Sequence, residues 1–350
     1  MNAPVTVSPG LLTVVPCLNE AENLIPLLKG LLADSCNELI VVADGGSSDG
    51  SRDIVRAMAR LHPRIVLLDN PDRIQSAGIN RAVERFGSGR DWLLRIDAHC
   101  DYPPDFARKV IAAAQGRDAD SVVVSMHTSA TGGFASAVAL AQNSRLGTGG
   151  APHRGEGSGG YVEHGHHALM RIEAFRRAGG YCESMACNED AELDIRLLRS
   201  GSRIWLEPSA RIAYHPRRTP GGLARQYFHY GIGRATTVLR HRSYLSPRQM
   251  LPIAVAPIVL AALAGPWVPE LALPALGWAA LCQVWGVGLA TSKRRWTGLL
   301  SGSAAMIMHG AWSVGFWTRV FSSRLAGQSA TEASLPFRSK QAAETQRRIT

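Results

Sequence analysis

The 350-residue chain has no CxxC pair among its six cysteines (Cys17, Cys36, Cys100, Cys182, Cys187 and Cys282). That excludes a zinc ribbon and a thioredoxin-like centre. The scattered spacing fits free thiols in a reducing compartment rather than a disulfide scaffold. No G-x-G-x-x-G and no phosphate-binding glycine loop follows the first apolar run, where Pro16-Cys17-Leu18-Asn19-Glu20 stands instead. A nicotinamide enzyme and a P-loop ATPase are thereby disfavoured. Acidic residues are missing from Pro208 to Arg248, a stretch with eight arginines (211, 217, 218, 225, 234, 240, 242 and 248). Residues 249–318 are nearly free of charge apart from Glu270 and Lys293-Arg294-Arg295. Met1-Asn2-Ala3-Pro4 carries no basic leader or cleavage signal, so the first half is expected to stay in the cytosol.

The net charge of +10 invites nucleic acid as a partner, but no recognition-helix pattern, zinc spacing or aromatic RNA platform accompanies it. Lying just before an apolar region, the arginine block reads as a surface for anionic lipid or lipid-linked phosphate. A merely solvated basic face is the alternative.

What is present alternates. Leu11–Val15, Glu38–Ala43, Ile65–Leu68, Trp92–Ile96 and Ser121–Met126 are short β-prone runs. Between them lie helical patterns: Leu24, Leu27, Leu28 and Leu31; then Ile54, Val55, Met58 and Leu61; then Ile79, Ala82, Val83 and Phe86. Such alternation predicts an α/β fold, a mostly parallel sheet with helices on both faces. Asn19 is expected to cap the first helix and Asp49 the second. Cys100 to Pro104 reads as a turn, and Gly147 to Gly160, with seven glycines, as a mobile loop at the mouth of a site. Tyr161 to Met170 is expected to supply a strand, Glu173–Ala178 a short helix and Arg203–Leu206 the last strand. Glu189–Ser200 reads as an amphipathic helix with Leu193, Leu197 and Leu198 inward. Beyond it, Pro252–Ala264 is apolar but broken by prolines, whereas Leu271–Ala290 and Gly298–Thr318 are long enough to span a membrane. Basic residues before the first and third runs put both connections on the cytosolic side.

Acidic residues end two of the strands. Leu93-Leu94-Arg95-Ile96-Asp97-Ala98-His99 breaks an apolar run with an aspartate, and Asp44 ends the second strand. A carboxylate there is costly without a partner, and a divalent cation carrying phosphates is such a partner. Carboxylates at the C-terminal ends of neighbouring strands mark a nucleotide site. Asp97 could equally cap its turn, and Asp44 could either accept from a uracil N–H or ribose hydroxyl or cap Gly45-Gly46. His99 shares a side with Asp97 by its i, i+2 spacing and could ligate Mn²⁺ more readily than Mg²⁺. Glu189-Asp190 opens a helix, where the dipole would keep a carboxylate ionised. It could be plain dipole compensation or a general base toward a sugar hydroxyl.

Four motifs in order resemble family 2 of the glycosyltransferases, inverting nucleotide-sugar enzymes of the GT-A fold. They are Val14–Glu20, Val42–Gly50, Arg95-Ile96-Asp97-Ala98-His99 and Asn188–Leu193. The likeness covers about residues 11–240 and is nearest to membrane-associated members that extend lipid-linked exopolysaccharide repeats. It implies that Pro16 and Glu20 border the uridine, Asp44 binds base or ribose, and Arg73 lies near uracil or diphosphate. Asp97 would hold Mn²⁺ or Mg²⁺ on the diphosphate of a UDP-sugar, with His99 and His215 as further contacts. Asp190 would be the catalytic base. His164, His166, Glu189, Gln226 and Arg234 would face the acceptor or the leaving diphosphate, and His167 reads as structural. A QxxRW motif is missing, which implies single-sugar addition rather than polymer synthesis.

The resemblance implies a flexible N-terminus at 1–10 and a catalytic domain at 11–215. Basic interfacial helices would follow at 216–248, membrane-associated or transmembrane helices at 249–320, and a disordered tail at 321–350. The implied reaction is β-linked transfer of glucose from UDP-glucose to a polyprenyl-diphosphate-linked saccharide at the bacterial inner membrane, with the catalytic domain cytoplasmic. A sugar-phosphate nucleotidyltransferase and a non-catalytic membrane scaffold are the rivals.

Overall fold

The computed structural model describes residues 10–325 apart from 152–153, 155–157, 244 and 246. The flexible start and most of the expected tail therefore fall outside the described residues, as does part of the Gly147–Gly160 loop. Among the described residues, nine strands make one sheet. They are β1 (Leu11–Cys17), β2 (Leu39–Asp44), β3 (Ile65–Asp69), β4 (Trp92–Arg95), β5 (Cys100–Asp101), β6 (Ser121–Thr128), β7 (Gly160–Tyr161), β8 (His166–Arg171) and β9 (Ile204–Tyr214). Their order is β3-β2-β1-β4-β8-β6-β9-β5, with β7 also paired to β9. Strands β1 to β4 run parallel, β8 inserts antiparallel between β4 and β6, and β9 runs parallel to β6.

The helices follow the alternation: α1 (Ala21–Ala33), α2 (Ser51–Leu61), α3 (Gln75–Phe86), α4 (Phe106–Gly116), α5 (Gly133–Gln142), α6 (Arg145–Thr148), α7 (Ile172–Arg177) and α8 (Glu189–Arg199). Four more follow β9: α9 (Pro220–His241), α10 (Pro247–Ala262), α11 (Leu273–Lys293) and α12 (Ser301–Leu325). Successive strand residues point to opposite faces, so β1 divides between two cores. Leu11 and Val15 join α1, α2 and α4, whereas Leu12 and Val14 join α3, α7 and α8. Both faces are buried, which is why these strands read as unbroken apolar runs. The same alternation places Arg95 on the face of Leu93, toward α8.

Several expectations are corrected. Cys100-Asp101 is a two-residue strand against Ala213-Tyr214 rather than part of a turn, and β9 continues eight residues past Leu206, across an irregularity near Val124–Met126. Leu61 and Leu198 face outward. Asn19 does not cap α1: it sits at φ +58° and accepts from the Ser48 N–H at 2.9 Å. The α1 N-terminus is satisfied from the 47–51 turn instead, with Ser51 Oγ accepting from the Glu20 N–H and Asp49 Oδ2 from that of Ala21, each at 2.9 Å. Asp49 Oδ1 also accepts from the Ser51 N–H at 3.0 Å, but it precedes the N-cap of α2, which is Gly50 rather than Asp49.

The third apolar run is also different. It becomes a 3₁₀ turn, Trp296–Leu300, and then α12. Ala304, Ala305 and Met308 are buried against Val138 and Ala141 of α5 and Leu223 of α9. By length and composition, one helix among the described residues could cross a membrane, Pro269–Lys293. Pro257 in α10 removes an N–H and so frees the Ile253 carbonyl. Ser313 Oγ and Trp317 Nε1 of α12 donate to it at 2.8 and 2.9 Å, which ties the two helices together.

Candidate active site

The ends of β1, β2 and β4 open onto a cleft of about 190 Å³ lined by Pro16, Glu20, Asn70, Arg73, Gln75, Asp97 and His99, among others. Five of the residues assigned to donor and metal thus share one wall. Asp44 is just beneath it, 1% exposed. Its Oδ1 accepts from the Gly46 and Ser47 N–H groups at 2.9 and 3.0 Å and from Arg52 Nη1 at 2.8 Å, whereas Oδ2 is buried without a partner. Burial raises its pKa, but Ser47 and Arg52 outweigh that and hold it below the usual range. Asp44 therefore caps its turn with one oxygen and keeps the other in reserve. Arg73, at φ +62°, donates from Nε to the Gly45 carbonyl at 3.1 Å. Glu20 lies 3.3 Å from His99 Nδ1 and accepts from Asn23.

Deeper in, the face alternation of β4 has a chemical consequence. Arg95, 5% exposed, donates from Nε to Asp97 at 3.2 Å, from Nη1 to Asp190, and to the Tyr181 hydroxyl at 3.2 Å; its Nη2 lies 3.6 Å from Glu189. One guanidinium thus gathers three carboxylates from β4 and α8, which is the planar multidentate pairing that arginine suits. Burial raises the Asp97 and Asp190 pKa values, but Arg95 together with the neighbouring histidines offsets this and keeps both ionised, Arg95 being the largest of those partners. The helix terminus was expected to do that work; the arginine does. Glu189 differs, because burial and Asp190 push it up to about 7. Gln75 donates to it at 3.2 Å.

Histidines complete the cluster. His166 Nε2 is 3.4 Å from Asp97 Oδ2 and its Nδ1 is 3.9 Å from Asp190 Oδ2. Burial lowers its pKa to about 4 despite both carboxylates. His164 Nδ1 is 2.7 Å from Asp194 Oδ2, and His167 Nε2 is 2.7 Å from Asp194 Oδ1. The expected sharing of a face by His164 and His166 is only partial, since one turns to Asp194 and the other to the cleft acids.

His215 is not brought into this cleft. It pairs with Asp101 at 2.9 Å beside a second cavity of about 520 Å³, which His99 also lines. Gln226, on α9, donates to the Tyr214 and Tyr230 hydroxyls at 2.7 and 3.0 Å, and its Oε1 is buried without a partner. Arg234 is eight residues further along α9. Sequence reasoning missed Arg95, Tyr181 and Asp194 as members of the site. A buried-strand arginine two residues before an acid was the available signal for Arg95; nothing local marks the other two.

Among the described residues no three His, Cys, Asp or Glu side chains form a ready-made metal site, so the donor set fits only a divalent cation that substrate phosphates and water help to hold. Asp97 offers a carboxylate to the cleft, and Asp97, Glu189 and Asp190 outnumber the single arginine among them, leaving excess negative charge. Mg²⁺ and Mn²⁺ suit such sites, bound through one or two carboxylates with substrate phosphates and water completing the shell.

A sheet of this order, with acids at the strand ends and a carboxylate-bearing helix opposite, has the GT-A glycosyltransferase fold, and residues 13–179 match Glycosyl transferase family 2. The chain is 49% identical over 315 residues, 89% of its length and 96% of the relative's, to succinoglycan biosynthesis protein ExoA of Rhizobium meliloti (strain 1021). It belongs to glycosyl transferase family 2. Undecaprenyl-phosphate mannosyltransferase of Micrococcus luteus is 32% identical over 115 residues, 32% of this chain and 46% of that protein. The mannosyltransferase PcManGT of Pyrobaculum calidifontis, solved with GDP-mannose and Mn²⁺, shares the fold with a TM-score of 0.58 at 19% identity, over 91% of this chain and 88% of that one.

Proposed function

We propose that this chain is an inverting glycosyltransferase of exopolysaccharide biosynthesis. In this reading it adds one sugar, glucose from UDP-glucose, in β linkage to a polyprenyl-diphosphate-linked saccharide. The observation that carries the reading is the convergence of Asp97 and Asp190 on one buried arginine, with Asp97 also lining the cleft at the strand ends. Pro16, Glu20, Asp44 and Arg73 take the nucleoside and diphosphate, and the free Asp44 oxygen meets a base N–H or ribose hydroxyl. Asp97 would hold Mn²⁺ or Mg²⁺, with His99 as a further candidate, whereas His215 is turned to Asp101 at the second cavity. When bound, the ion offsets charge on the departing diphosphate.

The chemistry on the protein side is proton abstraction. Asp190 Oδ2 takes the acceptor hydroxyl proton as that oxygen attacks the anomeric carbon, and the bond to UDP breaks with its electron pair. One displacement inverts the centre, so an α-linked donor gives a β product. His164, His166, Glu189, Gln226 and Arg234 lie on the acceptor and diphosphate side. Positioning both substrates against a fixed carboxylate supplies much of the rate.

We assign the catalytic domain to 11–215 and a cytoplasmic location on the bacterial inner membrane. Support comes from the apolar Pro269–Lys293 helix and the acid-free arginine block preceding it, which suits anionic lipid. The test is incubation with UDP-glucose, Mn²⁺ and polyprenyl-diphosphate saccharide. Release of UDP with growth of the lipid product is expected. Release of pyrophosphate would favour a nucleotidyltransferase, and an inert chain that binds no nucleotide would favour a scaffold.

A further inference from the structure

Asp190 presents its two oxygens to different surroundings. Oδ1 meets Arg95 Nη1, the Tyr181 hydroxyl at 3.3 Å and His167 Nδ1 at 3.4 Å. Among the described residues, the ion-pair partner of Oδ2 is His166, at 3.9 Å. One oxygen is tethered and the other has no hydrogen bond among the described residues, on a side chain that is 15% exposed. The tether continues inward: His167 Nδ1 is 2.7 Å from the Tyr181 hydroxyl, its Nε2 is 2.7 Å from Asp194 Oδ1, and Asp194 Oδ2 is 2.7 Å from His164. His167 and Asp194 are 1% and 0% exposed, so the contact geometry is enforced by packing. Two carboxylates flank this ring, Asp194 at Nε2 and Asp190 at Nδ1, and both favour the doubly protonated imidazolium, which donates from each nitrogen.

We propose that His167, oriented by Asp194, is a positioning residue for the reaction. Together with the Tyr181 hydroxyl it anchors Asp190 Oδ1, so that Oδ2 is the atom that receives the acceptor proton. The inference rests on the reading of Asp190 as the base. The physical need is plain: a carboxylate free to rotate about Cβ–Cγ offers its basic oxygen to the acceptor only part of the time, and small misplacements reduce rate steeply. His167 touches neither donor nor acceptor in this scheme. It acts through Asp190.

The ring nitrogens give the test its discrimination. An Asn amide nitrogen reaches the place of His Nδ1, whereas a Gln amide nitrogen reaches that of Nε2. His167→Phe is expected to lower kcat by about 100-fold, within the span seen for general-base catalysis, with KM for donor and acceptor unchanged. His167→Asn, which restores the group facing Asp190, is expected to recover more of kcat than His167→Gln, which restores only the group facing Asp194. A merely structural histidine, valued for its Asp194 bond, predicts the reverse order. Parental kcat in His167→Phe, or Gln outperforming Asn, overturns the proposal.

If the His167 variants fail to fold, Tyr181→Phe keeps the ring and removes the shared hydroxyl. A loss in kcat of about tenfold at constant KM supports the anchor, and parental kcat overturns it. Asp190→Asn separates the two levels. If that variant still transfers sugar, the base assignment fails; if it is inactive while the His167 and Tyr181 series are flat, the anchor alone fails.

Discussion

Replacing Arg95 by Met tests whether one buried cation organises the site. Met keeps an unbranched apolar stem of similar length and removes the charge. Asp97, Glu189 and Asp190, with side chains 11%, 14% and 15% exposed, are left facing one another. Removing one partner of a buried ion pair typically costs about 3–5 kcal/mol, and each kcal/mol lowers Tm by about 2–4 °C in a domain of this size. A fall of roughly 6–20 °C at pH 7 is therefore expected. Burial raises the Asp97 and Asp190 pKa values, but Arg95, with the nearby histidines, brings both below the ordinary 3.8 in the folded state. Such groups stabilise the fold above the unfolded pKa and lose that contribution as pH falls through the folded one. Without Arg95 burial pushes these carboxyls above their ordinary range instead, so the variant's deficit should be largest at pH 7 and shrink toward pH 4 as they protonate, whereas the parent's own advantage is lost only below 3.8. Tryptophan-fluorescence melts of detergent-purified protein across that range would show it. A Tm within about 2 °C of the parent at pH 7, or a deficit independent of pH, would refute the reasoning.

Asp190→Asn should reduce transfer by about 10²–10⁴-fold while leaving UDP–Mn²⁺ affinity near parental by calorimetry; near-parental transfer would return Asp190 to a helix-start role. Asp97→Asn should weaken metal-dependent nucleotide binding as well as rate, and unchanged Mn²⁺-dependent affinity would remove it from the metal site. Glu189, raised from 4.5 to about 7 by burial and Asp190, binds more proton folded than unfolded across that window. Its contribution to stability is complete below about 4.5 and declines as pH rises through 7, so Glu189→Gln should gain stability relative to the parent from pH 5 to 8; parallel Tm curves would contradict this. A Cβ at Gly231 would lie 2.0 Å from the Trp312 carbonyl oxygen. Gly231→Ala should separate α9 from α12 at about 1–3 kcal/mol, read as a lowered Tm, and an unchanged Tm would mean the contact is not tight.

The order of strands and helices through the first half could be read from the chain because each signal is local. Alternating or unbroken apolar runs report burial on one or two faces, and Asp44 and Asp97 mark strand ends by chemistry that tolerates no deep burial alone, whereas Pro16 sits inside β1. The candidate acids and the family pattern were legible for the same reason. Local signals misled where a distant segment competed for the same group. Asn19 looked like a cap, but Asp49 and Ser51 came from thirty residues away to satisfy those N–H groups. Gly298–Thr318 had the length of a membrane span, but α5 and α9 supplied protein for it to pack against.

The residue types, their spacing and the charge asymmetry were set by the sequence by itself. It also determined that a sheet must form with acids at its C-terminal edge. Only the tertiary structure decided that Arg95 from β4, Tyr181 from the 178–188 connection, His166 and His167 from β8, and Asp190 and Asp194 from α8 meet at one point. Those groups are up to 99 positions apart, from 95 to 194, and no periodicity links them. Their pKa values depend on burial and on charges a few ångströms away, and both exist only once β8 is inserted between β4 and β6.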